Sequence, residues 1–243
     1  MSRQLEPYQQ IERSIQKTYH KRLWTPFITA VKQYDLIAPG DRIAACISGG
    51  KDSMLMAKLL QLLQRHSDVP FEVVYLVMDP GYNAANRQKI EYNAALLHIP
   101  ITIFSTDIFE ITSTAGQSPC YLCARMRRGY LYSKARELGC NKIALGHHFS
   151  DVVETTVMSM FYGSQLQAMP PKLRSRNFPG MELIRPMYCI HEDDIIAWQH
   201  HNGLEFIHSV CLDTMVGYKT GGVEHTFADC YRERGEMTQE DET

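Results

Sequence analysis

A six-residue segment, SGGKDS at 48–53, has the composition of a phosphate-binding loop. It follows a short unbroken apolar run, RIAACI (42–47), and leads into a stretch whose apolar residues recur at helical spacing, SMLMAKLLQLLQRH (53–66). Its two glycines let backbone N–H groups approach an oxyanion, the start of a helix adds partial positive charge, and Lys51 adds a full charge. We therefore predict a phosphate or pyrophosphate cradle here rather than a generic Gly-rich turn. The candidate nucleotide-binding residues of this loop are Ser48, Gly49, Gly50, Lys51, Asp52 and Ser53.

The loop differs from a Walker A loop. That motif, GxxxxGK[ST], requires Gly at the position of Ala45 and Ser or Thr at the position of Asp52. The predicted cradle is thus of another kind, with a carboxylate directly after its lysine.

Two cysteines further along the chain are spaced so that they could bind the same metal or cluster. Cys120 and Cys123 form a CxxC motif after Pro119, ahead of a basic stretch that contains Arg127 and Arg128. Two thiolates at this spacing can bind one metal or cluster, and neighbouring guanidiniums favour their ionised form. Alone, the motif equally fits half of a zinc site, a redox pair or a chance occurrence. The chain has no second CxxC that would complete a Cys₄ zinc site.

Polar residues also follow the fourth predicted strand. Gly146 precedes His147 and His148, and Asp151 opens the next predicted helix. Because Mg²⁺ prefers carboxylate oxygens, Asp52 and Asp151 are candidate magnesium ligands. For Asp151, the alternative is a structural role as a helix cap.

The elements that must position these residues alternate between strand and helix. The predicted strands are 42–47, 71–78, 101–106, 142–146 and 181–187, and the predicted helices between them are 53–66, 86–99, 127–139 and 151–163. The apolar periodicity of 8–33 predicts an amphipathic N-terminal helix interrupted at Pro26. The alternation predicts an α/β fold with a doubly wound, mainly parallel five-stranded sheet, whose ligands bind beyond the carboxyl ends of the strands.

Composition and charge narrow the class of protein. The chain has 243 residues, of which 44% are apolar, and 25 basic residues against 27 acidic ones give a net charge of −2. These values describe a globular protein that can form its own core. We divide the chain into an N-terminal helical segment (1–40), a phosphate-loop domain (41–232) and an acidic tail (233–243).

Neither a membrane span nor a secretory leader is indicated. The longest apolar runs, such as 73–78, fall far short of the roughly 20 residues that cross a bilayer, and the N-terminus lacks an apolar leader. We therefore expect a cytoplasmic protein without a membrane partner, whose seven cysteines are thiols or ligands rather than disulfides. Basic residues collect within 125–136 and 172–176, which fits a nucleic-acid contact or simply solvated surfaces.

In combination these motifs resemble the PP-loop ATP pyrophosphatases (adenine nucleotide alpha hydrolase-like proteins), whose loop signature is SGGxDS. Within that superfamily the chain is most similar to the TtcA-type tRNA 2-thiocytidine synthetases, which are iron–sulfur tRNA sulfurtransferases. Further matching segments follow in the order seen in that family: PCYLCARMRRGYLY (119–132), KIALGHHFSDVVET (142–155), AMPPKL (168–173) and LIRPM (183–187).

The resemblance implies an ATP-dependent transferase. A cytidine C2 carbonyl in a tRNA anticodon loop would be adenylated, pyrophosphate would leave, and sulfur would then displace AMP. Lys51 and Asp52 would act on the leaving pyrophosphate, with Mg²⁺ held by Asp52 and Asp151. The adenine would lie against the backbone at the end of the second strand. The remaining nucleotide-binding positions implied by the family are Val77, Met78, Asp79, Gly146, His147 and Asp151.

In the resembled family, three cysteines hold a 4Fe-4S cluster, which here implies Cys120, Cys123 and a third residue. The family's third ligand lies in a C-terminal PCxxC segment. The corresponding stretch here reads SVCLDT, so Cys211 matches that ligand, with Cys189 and Cys230 as alternatives. The chain also departs from the family at Ser150, which replaces the first of two acidic residues.

Two other functions remain open from the sequence. One is a cluster-free ligase of the tRNA-lysidine synthetase kind, and the other is an iron–sulfur protein that senses ATP or redox state. For the transferase, we expect tRNA and a sulfur donor, such as a cysteine desulfurase or free sulfide, as partners. The sequence leaves the oligomeric state open, a homodimer included.

Overall fold

A computed structural model describes residues 5–108, 111, 119–162 and 168–207, without the side chains of 119–124 and 162. Its helices are α1 (Pro7–Arg13), α2 (Thr25–Gln33), α3 (Lys51–His66), α4 (Ala84–Leu96), α5 (Pro119–Glu137), α6 (Phe149–Tyr162) and α7 (Glu192–His201). Its strands are β1 (Arg42–Ile47), β2 (Glu72–Asp79), β3 (Ile101–Ser105), β4 (Lys142–Ala144), β5 (Lys172–Arg174) and β6 (Glu182–Ile184).

The strands form one sheet in the order β3-β2-β1-β4-β6-β5. All neighbouring pairs are parallel except β5 and β6, which are antiparallel. The doubly wound α/β fold predicted from the sequence is confirmed, but the predicted number of five strands is wrong. The sixth strand, β5, is a three-residue edge strand, KLR, too short and too polar to show an apolar pattern.

One helix begins earlier than predicted, and another is absent from the prediction. The helix predicted over 127–139 begins at Pro119, where the first turn of a helix accommodates a proline without loss of a backbone hydrogen bond. Helix α7 was not among the predicted elements. Its acidic first turn, followed by buried Ile195 and Trp198, is nevertheless an amphipathic pattern.

The N-terminal segment packs into the main core. Its predicted apolar stripe is buried throughout: Ile11, Ile15, Tyr19, Leu23 and Phe27. The helix is interrupted before Pro26 rather than at it, because two π-helical stretches, Ser14–Thr18 and His20–Trp24, separate α1 from α2. Pro26 itself lies in the first turn of α2.

A fully buried lysine ties α1 to α3. Lys58 is inaccessible to solvent, and its Nζ lies 2.6 Å from Glu12 Oε1 and 2.7 Å from the carbonyl oxygen of Leu97. Glu12 also accepts a hydrogen bond from Arg65. Burial tends to raise the pKa of Glu12, but the hydrogen bonds from Arg65 and Lys58 outweigh it and hold that pKa below its usual range.

We expect Glu12→Gln to destabilise the fold by about 2 kcal/mol, because a buried ammonium loses its counter-charge. Urea denaturation at neutral pH measures this loss. Glu205→Gln, which removes an exposed partner of Lys89, is the control and should change stability by less than about 0.5 kcal/mol. Because the pKa of Glu12 is lowered in the folded protein, its contribution to stability is lost as the pH falls through that pKa. The free energies of unfolding of the wild type and of E12Q should therefore converge at low pH. Equal losses in both variants would contradict the role of the buried pair.

Within the described residues, no helix combines the length and the apolar character that a membrane span requires.

Candidate functional site

The candidate site lies at the topological switch point of the sheet, where consecutive strands are added on opposite sides of β1. Strand β1 is central, and the chain continues from it to β2 on one side, whereas β4 pairs with β1 on the other. The carboxyl ends of these parallel strands meet at one edge of the sheet, which is where open α/β sheets bind ligands. The 48–53 loop follows β1 at this edge.

Ser53 holds the loop in shape. Its hydroxyl oxygen accepts hydrogen bonds from the backbone N–H and the hydroxyl of Ser48, each at 3.1 Å, and donates its own proton to the carbonyl of Gly50 at 3.0 Å. A hydroxyl has a single proton. In this arrangement Ser53 stabilises the turn of the loop.

Two glycines allow close packing at the loop. Gly49 has a φ of +88°, and a Cβ atom there would lie 2.6 Å from Ile90 Cγ1 and 2.7 Å from Ile207 Cδ1. A Cβ atom at Gly146 would lie 3.0 Å from the backbone nitrogen of Ser53. The segment after β4 thus approaches the first turn of α3 so closely that a side chain at position 146 would require the backbone to shift by a few tenths of an ångström.

Lys51 is the first residue of α3, and its ammonium group pairs with two carboxylates. Its Nζ lies 2.8 Å from Glu192 Oε1, at the start of α7, and 3.2 Å from Asp52 Oδ2. Burial tends to lower the pKa of Lys51, but the contacts with Glu192 and Asp52 outweigh it and raise that pKa. The hydrogen bond from Lys51 lowers the pKa of Glu192. Both groups are therefore charged at neutral pH.

Asp52 and Asp151 lie on either side of one buried histidine. His148 Nε2 is 3.7 Å from Asp52 Oδ1, and His148 Nδ1 is 3.4 Å from Asp151 Oδ2. Asp52 Oδ1 is buried and has no hydrogen-bond partner among the described residues. Burial raises the pKa of Asp52, against the opposing effects of Lys51 and His148. A buried carboxylate oxygen without a donor suits a bound cation.

Asp151 also serves as a helix cap. Its Oδ2 accepts a hydrogen bond from the backbone N–H of His148 at 2.9 Å, at the start of α6. This is the structural role considered for Asp151 as an alternative, and it leaves the second carboxylate oxygen for other contacts. His147 lies beside His148 and is partly buried.

The end of β2 lies beside the loop, as its predicted role in nucleotide binding requires. Val77 is in register with Ile47, the last residue of β1, so Met78 and Asp79 extend beyond that pairing while they continue to pair with β3. The Asp79 carboxylate accepts the backbone N–H groups of Gly81 and Tyr82. Its side chain therefore shapes the turn after β2.

The predicted cluster ligands lie only partly within the described residues. Cys120 and Cys123 are in the first turn of α5, three residues apart, and Cys211 lies outside the described chain, as does Cys230. Cys189 is partly buried against the main core, and burial raises the pKa of its thiol. No group of three or more His, Cys, Asp or Glu residues converges on one metal position among the residues that the structure describes.

The fold and loop define the class of this protein. A family model described as a PP-loop domain matches residues 7–210, and the chain belongs to that family. Two curated relatives, both named tRNA-cytidine(32) 2-sulfurtransferase, narrow the assignment. The one from Vibrio parahaemolyticus is 40% identical over 190 residues, 77% of this chain, and the one from Syntrophotalea carbinolica is 40% identical over 185 residues, 75% of this chain. The chain is thus a member of the tRNA-cytidine(32) 2-sulfurtransferase family.

The chain spans 64% of the length of the Vibrio relative and 71% of the Syntrophotalea relative. Among solved structures, it resembles the U34-tRNA thiolase NcsA from Methanococcus maripaludis, determined with its [4Fe-4S] cluster. The TM-score is 0.62 at 19% identity, over 89% of this chain and 71% of that one. That likeness supports the fold, and the family recognised from the motifs is confirmed by the relatives.

Sequence reasoning did not identify Glu192 as part of the site or His148 as the link between the two aspartates. Glu192 is separated from Lys51 by 141 positions in the chain, so no local spacing connects them. The run of three acidic residues, Glu192 to Asp194, is typical of a helix start and is the one local signal that could have drawn attention to this segment.

Proposed function

We propose that this protein is an ATP-dependent tRNA sulfurtransferase that converts a cytidine, position 32 of the anticodon loop, to 2-thiocytidine. The observation that carries the proposal is the Lys51, Asp52 and His148 arrangement at the phosphate loop, in a chain that is 40% identical to proteins of that name. Since tRNA and ATP are both available in the cytoplasm, we place the activity there.

The loop would hold ATP through its phosphates. The N-terminus of α3 presents backbone N–H groups and the positive end of a helix dipole, and Lys51 adds a cation beside them. These groups oppose the negative charge that develops on the leaving pyrophosphate, so they lower the barrier to cleavage between the α and β phosphates. The adenine would lie along the backbone of Met78 and Asp79, beside the loop.

The acidic residues fit a magnesium ion. Mg²⁺ in nucleotide sites takes one or two protein carboxylates and completes its shell with phosphate oxygens and water. Asp52, with its unpartnered buried oxygen, and Asp151 would supply the carboxylates. When bound, the ion would polarise the phosphate oxygens and neutralise part of their charge. His148, between the two carboxylates, would keep them in position.

The cysteine positions fit a shared cluster at the same edge of the sheet. Met126 of α5 packs against the small apolar cluster of Met78 and Ile108, at the end of β2. Cys123 and Cys120 precede Met126 by three and six residues on that helix, about 4.5 and 9 Å along its axis. The backbone N–H of Ile207 donates to the carbonyl of Gly49 at 3.3 Å.

Cys211 follows Ile207 by four residues, and four residues span at most about 14 Å. A chain of this length would allow Cys211 to reach the phosphate loop. A 4Fe-4S cluster on Cys120, Cys123 and Cys211 would keep one iron open to hold sulfide for transfer.

The proposed reaction proceeds in two steps. The C2 carbonyl oxygen of the cytidine attacks the α-phosphorus of ATP, which forms a C2–O–AMP bond and releases pyrophosphate. Sulfide then attacks C2, and AMP leaves with the former carbonyl oxygen. Lys51 and the loop act in the first step, and the cysteines place sulfur for the second.

A basic surface could receive the tRNA. Arg125 and Arg136 on α5 are exposed, as is Arg174 on β5. The stacking of Tyr132 on Phe178, with ring centroids 4.8 Å apart, joins α5 to the region of β5 and β6. The basic residues of both elements thus lie in one neighbourhood, which suits contact with phosphates.

The direct test supplies the protein, purified without oxygen, with ATP, Mg²⁺, sulfide and an unmodified tRNA transcript. We expect one 2-thiocytidine, one AMP and one pyrophosphate for each turnover, measured by nucleoside mass spectrometry and phosphate analysis. A transcript with uridine at position 32 is the control and should gain no sulfur. ATP consumption without sulfur incorporation by a colourless protein would instead indicate the cluster-free ligase, and tight ATP binding without turnover would indicate a sensor.

A further inference from the structure

A carboxylate that belongs to neither the loop nor the predicted metal ligands contacts the loop's lysine. Glu192 Oε1 lies 2.8 Å from Lys51 Nζ, closer than Asp52 Oδ2 at 3.2 Å. Glu192 is the first residue of α7, and its backbone N–H donates to the hydroxyl of Ser150 at 3.3 Å. An anionic side chain therefore lies at the edge of a cradle built for an anionic ligand.

The position of Glu192 alone disfavours the binding of an anionic ligand. A carboxylate beside a phosphate group repels it, and Glu192 also occupies a donor of the one ammonium group that the loop provides. A carboxylate that competes for Lys51 can, however, speed the release of a phosphate ligand after the reaction. Lys51 and Glu192 are both partly exposed, with 23% and 37% of their side chains accessible, so the pair can open without burying an unpaired charge.

We propose that Glu192 is a positioning residue that holds Lys51 before ATP binds, gives it up to the pyrophosphate group of ATP, and takes it back as pyrophosphate leaves. This inference rests on the proposed function, since it takes the ligand of the loop to be ATP. The exchange involves hydrogen bonds alone: one ammonium N–H moves from a carboxylate oxygen to a phosphate oxygen and later returns. Glu192 thereby sets how tightly pyrophosphate is held and speeds its release.

The proposal predicts a change that depends on the ligand. In Glu192→Gln, Lys51 no longer has a charged competitor, so we expect pyrophosphate and ATP to bind about fivefold more tightly, the size of a partly exposed ion pair. AMP lacks the pyrophosphate group, so its affinity should stay within a factor of about two. Titration calorimetry with Mg²⁺ present, on the full chain, measures all three.

Asp193 provides a matched control. It is exposed in the same first turn of α7, and Asp193→Asn removes the same charge without touching Lys51. Because the two variants alter the helix start equally, melting temperatures should be similar, and D193N should bind pyrophosphate as the wild type does. A general electrostatic effect would instead tighten binding in both variants alike.

A double-mutant cycle with Lys51→Met separates the pair from its surroundings. In the K51M background only the direct repulsion between Glu192 and phosphate remains, so E192Q should tighten pyrophosphate binding much less than it does in the presence of Lys51. The proposal is wrong if E192Q binds pyrophosphate no more tightly than D193N, if AMP affinity shifts as much as that of pyrophosphate, or if the effect of E192Q is undiminished without Lys51. If the wild-type protein binds neither ATP nor pyrophosphate, the proposed function itself fails.

Discussion

Gly49→Ala is expected to cost the protein about 3 kcal/mol of folding stability. An L-residue at a φ of +88° is strained by roughly 1–2 kcal/mol, and the added methyl group would also lie within 2.7 Å of Ile90 and Ile207. Both isoleucines are buried, so neither can move aside without disturbing its neighbours, at a further cost of roughly 1–3 kcal/mol. Urea denaturation gives the loss directly.

Two other glycines separate these contributions. Gly180 has a φ of +84° with open space around it, so Gly180→Ala should lose only the backbone strain, about 1 kcal/mol. Gly50 has a φ of −78°, and the nearest atom to a Cβ there would be Ser48 Oγ at 3.7 Å, so Gly50→Ala should lose less than about 1 kcal/mol, the preference for Gly over Ala at a helix N-cap. If G49A were no less stable than G180A, the two isoleucines would not be packed as the structure has them.

Cys211→Ser is expected to abolish sulfur transfer, with a loss of at least about 1000-fold, while ATP binding remains. In the proposed function, removal of one of the three thiolates would leave too few ligands to retain the cluster, whereas the phosphate loop would not depend on it. Iron content and the absorbance of the purified protein report the cluster, calorimetry reports ATP binding, and nucleoside mass spectrometry reports the product. Cys120→Ser and Cys123→Ser should give the same result.

Cys189→Ser is the matched control. Cys189 is partly buried against the core, and burial raises the pKa of its thiol, which disfavours the thiolate that iron requires. This variant should keep iron, colour and activity. Loss of the cluster in C189S with retention in C211S would reverse the assignment of the third ligand.

The sequence determined the parts of the site that are local in the chain. The loop, its following helix and the strand before it were all predictable, because two glycines, a lysine and an apolar run lie within a dozen residues. The prediction for 42–47 matches β1 residue for residue. Asp151 was also identified from its position at the start of a helix after a strand, and Gly146 from the family resemblance, although the close approach of Gly146 to Ser53 is visible only in three dimensions.

What escaped the sequence was contact between distant elements. Glu192 contacts Lys51 from 141 positions further along the chain, and the backbone N–H of Ile207 donates a hydrogen bond to Gly49, and no local spacing in the sequence indicates either contact. Ser53 shows a second limit. A hydroxyl in a phosphate loop has the right chemistry to bind a ligand, but only the folded geometry shows that its proton is given to Gly50.

The edge strand β5 limits the addition of further strands to this sheet. It is three residues long, runs against its neighbour, and carries Lys172 and Arg174, both paired with Glu182 of β6. A second copy that added a strand here would bring like charges face to face and would find few backbone groups to pair with. This border therefore resists the addition of a strand from a second copy, so growth of the sheet from this side is disfavoured.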